Sequence, residues 1–380
     1  MSDVKGGPLF AAIVGGGCAG LTAAIRLERM APKGLAIFEP NNARHDHIWA
    51  FWDDGGADLE PARHLTEGQW KKWDFIGDTG AIRLEGKSFV YRAISSAAFE
   101  NSLRESLKNA EYIKERVVSA DQLNDCFKVS LESGCSVYAK NLFDSRSPSI
   151  RDGEFLQHFL GWRVHSETPI FDEETATLMD FRVPQDEGIH FIYLLPFNSK
   201  QALVESTVLS SRPLPDSWYE KQISAYLSSN YPGAVTNVTY KEKGIIPLVQ
   251  YRQLTSLGVP IGVRAGALRA SSGYAFSQIQ RQIFQMFNQQ HIEAVDLGAI
   301  SGAKPGCDRF ESWMDRVFLR VLCRNPEIAP ELFLKMAAAV DGDTFARFMR
   351  GYGDWRGRLS LMRNLPTGLF LGSVFRSSAS

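Results

Sequence analysis

The chain has almost no charge imbalance: 42 Lys and Arg stand against 43 Asp and Glu, a formal net charge of −1. Without a basic excess there is no long-range field to draw in a polyanion, so nucleic acid is not an expected partner. Cysteine is scarce. Cys18, Cys126, Cys135, Cys307 and Cys323 are scattered, with no C-x-x-C pair. An odd number without paired spacing argues against a disulfide framework and for a reduced setting. No unbroken apolar run approaches the length that spans a bilayer. Met1 to Pro8 is short and polar and does not read as a signal peptide. The expected location is therefore the cytoplasm. The seven histidines lack ligand spacing, so no metal is expected. Internal repeats and low-complexity tracts are missing too.

What is present starts with size and apolar content. A chain of 380 residues holds two or three domains, or one domain split by insertions. Phe10-Ala-Ala-Ile-Val14 is a short apolar run bounded by glycines and reads as a buried parallel strand. Gly15, Gly16, Gly17, Cys18, Ala19 and Gly20 follow at once, and Leu21, Ala24, Ile25 and Leu27 then recur at helical spacing. A second strand, Leu35 to Phe38, ends on Glu39. In a strand–turn–helix–strand unit each of these has a task. Gly15 permits the tight turn, Gly17 lets the backbone approach a pyrophosphate, and Gly20 allows close helix–strand packing. The helix N-terminus offers N–H groups to the phosphates. Glu39, nineteen residues after Gly20, is spaced to accept from ribose hydroxyls and to repel a 2′-phosphate. A glycine fingerprint alone is weak. Between two strands, with the acid at this spacing, it predicts a dinucleotide site.

Beyond Glu39 the pattern loosens into aromatic-rich loops, including His47 to Trp52. Ser95 to Leu107 reads as a helix capped by Ser95 or Ser96. Asn141 to Asp144 reads as a further sheet strand. From Glu154 to Thr207 the periodicity changes to alternation, which predicts an antiparallel sheet. Within it, Ile189–Leu195 and Gln201–Leu209 are expected strands joined by Pro196 to Ser199. Around Pro260 to Gly266 the chain is expected to return to the first domain, with a helix beginning near Tyr274. From Asp308 onward it should be mainly helical. The expected fold class is α/β: a Rossmann-like dinucleotide domain, an antiparallel-sheet substrate domain and a mainly helical C-terminal region. The expected divisions are residues 1–150, 151–255, 256–305 as the return to the first domain, and 306–380.

A set of motifs in this order resembles the bacterial-type lycopene β-cyclase family. They are the Gly15–Gly20 fingerprint, His47-x-Trp49-x-Phe51, Asp144-Ser-Arg146, Phe155-Leu-Gln-His-Phe-x-Gly161, Met179-Asp-Phe-Arg182, Tyr193-Leu-Leu-Pro196, Val204-Glu-Ser-Thr207, Gly244-Ile-Ile-Pro247, and Arg264-Ala-Gly266 with Ser272-Gly-Tyr274. The resemblance covers most of the chain. It implies FAD held by Gly15 to Gly20, Glu39 and Gly266, active when reduced, with NAD(P)H as reductant. It implies a linear carotene such as lycopene as substrate, drawn from a membrane surface, so that the enzyme would sit peripherally on the inner face. The implied reaction is a redox-neutral cyclisation: a proton adds to the polyene end, the cation closes a six-membered ring, and proton loss gives the β-ionone ring.

Two departures from wider patterns stand out. Related cyclases often carry two adjacent acids where this chain has Glu205-Ser206, so the second carboxylate is expected to be missing and with it any shared-proton scheme. The chain also has Gly262-Val-Arg-Ala where many flavoproteins have an Asp near the ribityl chain. Glu205 matches the first of those two acids, and the resemblance implies that it is the catalytic acid; an alternating strand would give it a face shared with Leu203 and Leu209. On such a face the charged form is disfavoured and the pKa rises. The competing reading is a solvated or Arg-paired strand carboxylate. Asp180 and Arg182 are expected to form a salt bridge, with a catalytic role less favoured. Trp49, Phe51, Trp52, Tyr193 and Phe197 are expected in the core, or else along a tunnel where ring faces would steady a cation. The apolar stretch Leu365 to Phe375 is an expected membrane contact if exposed. Competing functions are a flavin-dependent monooxygenase or reductase of an apolar substrate, and a carotenoid-binding paralogue without turnover.

Overall fold

A computed structural model describes residues 7–40, 45–249, 256–288, 309–351 and 355–363. The stretch 365–375 lies outside them. Among the described residues there are three sheets. The first is built on Leu9–Val14, all but its first two residues buried, which pairs in parallel with Leu35–Phe38 on one side and Ser136–Asp144 on the other. Glu111–Ile113 extends the parallel part, and the hairpin strands Phe127–Leu131 and Val117–Gln122 close the far edge in antiparallel fashion. The helix Cys18–Met30 lies on this sheet, its buried face running through Leu21, Ala24 and Leu27. Parallel strands covered on both faces need continuous apolar runs, and that is why this region was readable from sequence.

The chain comes back to this sheet late. Val259–Pro260 pairs in parallel with the end of Ser136–Asp144. A single 3-10 turn, Gly262–Ala265, closes on Gly266 in the left-handed region at φ 80°. The following helix is Phe276–Asn288, two residues later than the expected start. It packs with Cys18–Met30 in one apolar cluster that includes Leu21, Ala24, Phe276 and Ile283.

The second sheet is mixed and mostly antiparallel. From one edge its strands run Thr236–Pro247, Leu156–Ser166, Gln201–Ser210, Ile189–Asn198, Thr175–Asp180, Lys72–Gly77 and Gly80–Glu85. The strands 72–77 and 80–85 thus join a sheet whose other members come from residues 156–247. Ile189–Asn198 continues through Pro196 instead of turning there, because the register shifts beside that proline and relieves the ladder of its missing donor. The helix Asp216–Asn230 covers one face of this sheet through Tyr219, Ile223, Tyr226 and Leu227.

The third sheet corrects one expectation. His47 to Trp52 is not loop: Ile48–Asp53 is a strand paired with Val90–Ser95, which also pairs with Thr66–Trp70. Trp and Phe favour strands, and here they alternate between two apolar clusters: Phe51 belongs to the first-sheet core, Trp52 to the cluster with Trp70, Trp73 and Tyr91. The helix expected at Ser95 to Leu107 is Ser96–Ser106, and the Ser95 hydroxyl accepts from the Ala98 N–H at its start. The helices Arg309–Arg324, Ala329–Ala338, Gly342–Met349 and Trp355–Arg363 make up the late region.

Candidate active site

At the glycine turn, the chain leaves its first strand through Gly15 at φ 103°. A Cβ on Gly20 would collide with the Gly15 carbonyl oxygen, so this helix can approach the turn only with glycine there. The helix Cys18–Met30 starts on Gly17 with no side-chain cap and no acid in its first turn. Its positive end is therefore turned toward an outside anion. Glu39 is buried at the end of its strand and accepts from the Gly16 N–H at 3.0 Å. The turn at Gly262 rests against the same helix start: a Cβ there would meet the Ala19 methyl at 2.5 Å. Gly15, Gly16, Gly17, Cys18, Ala19, Gly20, Glu39 and the Gly262–Gly266 turn thus lie around one helix end. These are features that a dinucleotide needs, and the residues fit one.

Beside that end opens a cavity of about 830 Å³, the size of a whole-ligand pocket. Cys18 and Val263 stand at its border with the glycine turn, and most of its wall is aromatic or aliphatic, including Trp49, Trp52, Phe191 and Phe276. Of the aromatics considered from sequence, Trp49, Trp52 and Tyr193 line it, whereas Phe51 is core and Phe197 lies under the Arg163 guanidinium at 4.7 Å. Tyr91 joins Tyr193 and Tyr274 in a chain of hydroxyls at 2.8 and 2.7 Å. Burial raises the Tyr91, Tyr193 and Tyr274 phenols well above their ordinary range, so the three stay protonated.

Glu205 opens into this cavity from Gln201–Ser210, on the side shared with Thr207 and Leu209. Burial pushes its carboxyl well above the usual carboxylate range, and a neighbouring carboxyl, Glu242, pushes the same way. Glu242 was missed in the sequence, and the expected absence of a second carboxylate is thereby corrected. It comes from the edge strand, not from position 206. Gly161 on the central strand faces Glu205 on one side and Glu242 on the other. A Cβ on Gly161 would stand 2.7 Å from the Glu205 Cγ and 3.3 Å from the Glu242 Cγ. With hydrogen in that place, the two carboxyls meet across the strand. Burial lifts Glu242 to about 7, although hydrogen bonds from Glu205 and the Ile48 N–H oppose the rise.

Ser206 shows why the adjacent position could not have served. Strand alternation turns it to the opposite face, where its hydroxyl meets His190 Nε2 at 2.9 Å beside Trp218. Burial pushes His190 down to about 4, so it is neutral. Asp180 is also outside the cavity. Arg182 Nη2 bonds it at 2.7 Å and the Tyr226 hydroxyl donates to it at 2.9 Å, which is the expected salt bridge. His47 borders the cavity with its Nδ1 3.7 Å from Glu242, and burial lowers its pKa.

Against known proteins, residues 11–366 match the family described as lycopene cyclase protein. A lycopene beta-cyclase of Pseudescherichia vulneris is 27% identical over 69% of this chain and 69% of its own length. A lycopene beta-cyclase of Pantoea ananas is 22% identical over 93% of this chain and 94% of its own. Among solved structures, HpxO from Klebsiella pneumoniae complexed with FAD and uric acid superposes with a TM-score of 0.58 at 14% identity, over 90% of this chain and 96% of that one. A geranylgeranyl bacteriochlorophyll reductase-like protein from Thermoplasma acidophilum gives 0.59 at 12%, over 95% and 97%. These likenesses fix the fold as that of FAD-binding flavoproteins. The chain belongs to the lycopene cyclase family of enzymes.

Proposed function

We propose that the protein is a lycopene β-cyclase, closing the ψ-ends of lycopene or a related linear carotene to β-ionone rings without net redox change. The observation that carries this reading is a buried carboxyl, Glu205, pushed by burial well above the usual carboxylate range and opening into an aromatic cavity large enough for a polyene end. An alkene is a poor base, so its protonation needs an acid that is still protonated at working pH and that no water competes for. Glu205 answers both needs. Once the proton has moved, the Trp49, Trp52, Phe276, Tyr193 and Tyr274 rings that line the cavity are available to steady the developing cation. The apolar wall withholds water that would trap the cation as an alcohol.

Gly15 to Gly20 would hold the pyrophosphate of FAD, Glu39 its ribose and Gly266 the turn beside it. Reduced flavin, maintained by NAD(P)H, would add negative charge near the cation. The substrate is a hydrocarbon and must arrive from a bilayer. Ile150 and Ile245 border the cavity and are 44% and 46% exposed, an apolar rim suited to a membrane surface. No described helix is long and apolar enough to cross a membrane. With that apolar rim, the reading is peripheral attachment at the inner face. The division into a cofactor domain of residues 1–150 with 256–305, a substrate domain of 151–255 and a helical region of 306–380 belongs to the same proposal, except that the strands Lys72–Gly77 and Gly80–Glu85 belong with the substrate sheet they join.

Expression in lycopene-accumulating bacteria tests it. The expected pigments carry β-rings and have the mass of lycopene, and purified enzyme consumes no NAD(P)H per ring. An oxygenated or hydrogenated product, or one NAD(P)H used per turnover, assigns the chain to redox chemistry instead.

A further inference from the structure

Glu242 sits where a sequence reader expects a surface residue, yet it is 4% exposed and Glu205 beside it 7%. Their surroundings do not neutralise them. Among the described residues no lysine or arginine forms an ion pair with either carboxyl, and the nearest basic group is His47 at 3.7 Å from Glu242. One Glu242 oxygen, Oε2, accepts from the Ile48 N–H at 2.8 Å. The other, Oε1, is buried and has no fixed protein donor. A buried carboxylate oxygen left unsatisfied is costly. The group placed to satisfy it is the carboxyl of Glu205, and only if that carboxyl carries a proton.

We propose that Glu242 is a positioning residue that shares one proton with Glu205 across Gly161, so that the pair, and not Glu205 alone, is the acid of this enzyme. The inference rests on the cyclase reading and deepens it. In the resting pair Glu205 carries the proton and donates it to Glu242, which holds it against the cavity wall. In the first step the Glu205 O–H bond breaks, and the π pair of the terminal alkene forms the new C–H bond. A second alkene π pair then closes the ring and moves the cation into it. The pair is now two carboxylates a hydrogen bond apart in a dry site, a state that like-charge repulsion makes a strong base. It removes a proton from the carbon beside the ring cation, and the C–H electron pair becomes the ring double bond. The pair ends with the one proton it began with. A single carboxyl would supply the same acid but a weaker base.

The groups facing the pair are Asp46 and His47 before the Ile48–Asp53 strand, Arg163 on the central strand, Tyr240 on the edge strand, and Tyr193 and Tyr274 beyond Glu205. None of them duplicates the effect of Glu242, which adds charge and a hydrogen bond directly against Glu205. The sign follows. Glu205 must be protonated to act, so activity falls as pH rises through its pKa. Removing the neighbouring charge lowers that pKa, so the basic limb of the pH–rate profile moves to lower pH.

Cyclisation of lycopene in detergent micelles, followed across pH, is the test. For Glu242→Gln, which can keep the Ile48 contact, the basic limb should fall by about one pH unit or more. Glu242→Asp should restore part of the shift. Gly161→Ala keeps both carboxyls but wedges them apart and should move the limb the same way. A folded Glu242→Gln or Gly161→Ala enzyme with reduced rate and an unmoved limb overturns the proposal, since a merely structural residue has that signature. Infrared titration of the wild-type protein needs no variant: two buried carboxyls should titrate as a coupled set, and one titrating alone overturns it too. If the wild type makes no β-rings at all, the cyclase reading fails, while the infrared result still decides whether the proton is shared.

Discussion

The glycine-turn end and the carboxyl end of this molecule are built by opposite means. At the first, the polar groups on offer come from the backbone: a bare helix start, a turn without side chains and one acid, Glu39, all within thirty-one residues of chain from Leu9 to Glu39. At the second, the backbone is sealed in a sheet, and two side chains from strands 37 residues apart, Glu205 and Glu242, meet over a gap left by a third strand at Gly161. In both places a glycine creates the site by what it omits. At Gly20 the omission lets the helix approach its own turn; at Gly161 it lets two acids approach each other. The first device suits a polar ligand that brings its own charges. The second suits a hydrocarbon, which offers no hydrogen bonds and must be attacked by a group made acidic through its isolation.

The strongest way to break the first half of this comparison is Gly20→Val. Its side chain has to occupy the position of the Gly15 carbonyl oxygen, so the helix must shift and the turn opens. FAD content of the purified protein should fall to near zero. Flavin retained at wild-type level by a folded Gly20→Val protein would mean that the turn is not the cofactor site. Glu39→Ala is the milder probe. It removes a charge-assisted acceptor while leaving the turn intact, a loss of about 1.5 kcal/mol and so roughly tenfold in FAD affinity. Unchanged affinity by flavin fluorescence titration would remove Glu39 from the site.

The two ends also differ in how much of them the sequence discloses. The parallel strands, the glycine turn and Glu39 follow from periodicity and spacing because their partners are near in the chain. Glu205 follows from strand alternation with the help of the family likeness. Glu242 does not follow from either. Lys241-Glu242-Lys243 reads as a solvated charge run, and in the structure both lysines are indeed exposed, with ion pairs to Glu220 and Asp216. Glu242 points inward only because the edge strand is pleated, and what it meets depends on a register set across two neighbours. One signal was present: Gly161 stood inside a motif of this family, in the middle of a strand that has no turn or bulge there. A glycine in such a position marks a close approach, and asking what approaches it would have led to the row Glu205–Gly161–Glu242. The strand Ile48–Asp53 was hidden for a related reason, since its aromatic residues serve different clusters on its two faces and give no single apolar side.

The most direct test of the central claim is Glu205→Gln. The amide keeps the size of the side chain and much of its hydrogen bonding, and it sits on a strand held on both sides by full ladders, so folding and FAD content should be unchanged. What it loses is the transferable proton. Turnover of lycopene to β-ring products should drop at least about 100-fold, the scale that a positioned acid supplies, with carotenoid binding retained. Glu205→Asp should keep a small residue of activity, and Glu205→Gln with Ser206→Glu should not recover any, because position 206 faces His190 and not the cavity. Normal β-ring formation by a well-folded Glu205→Gln enzyme would contradict the account.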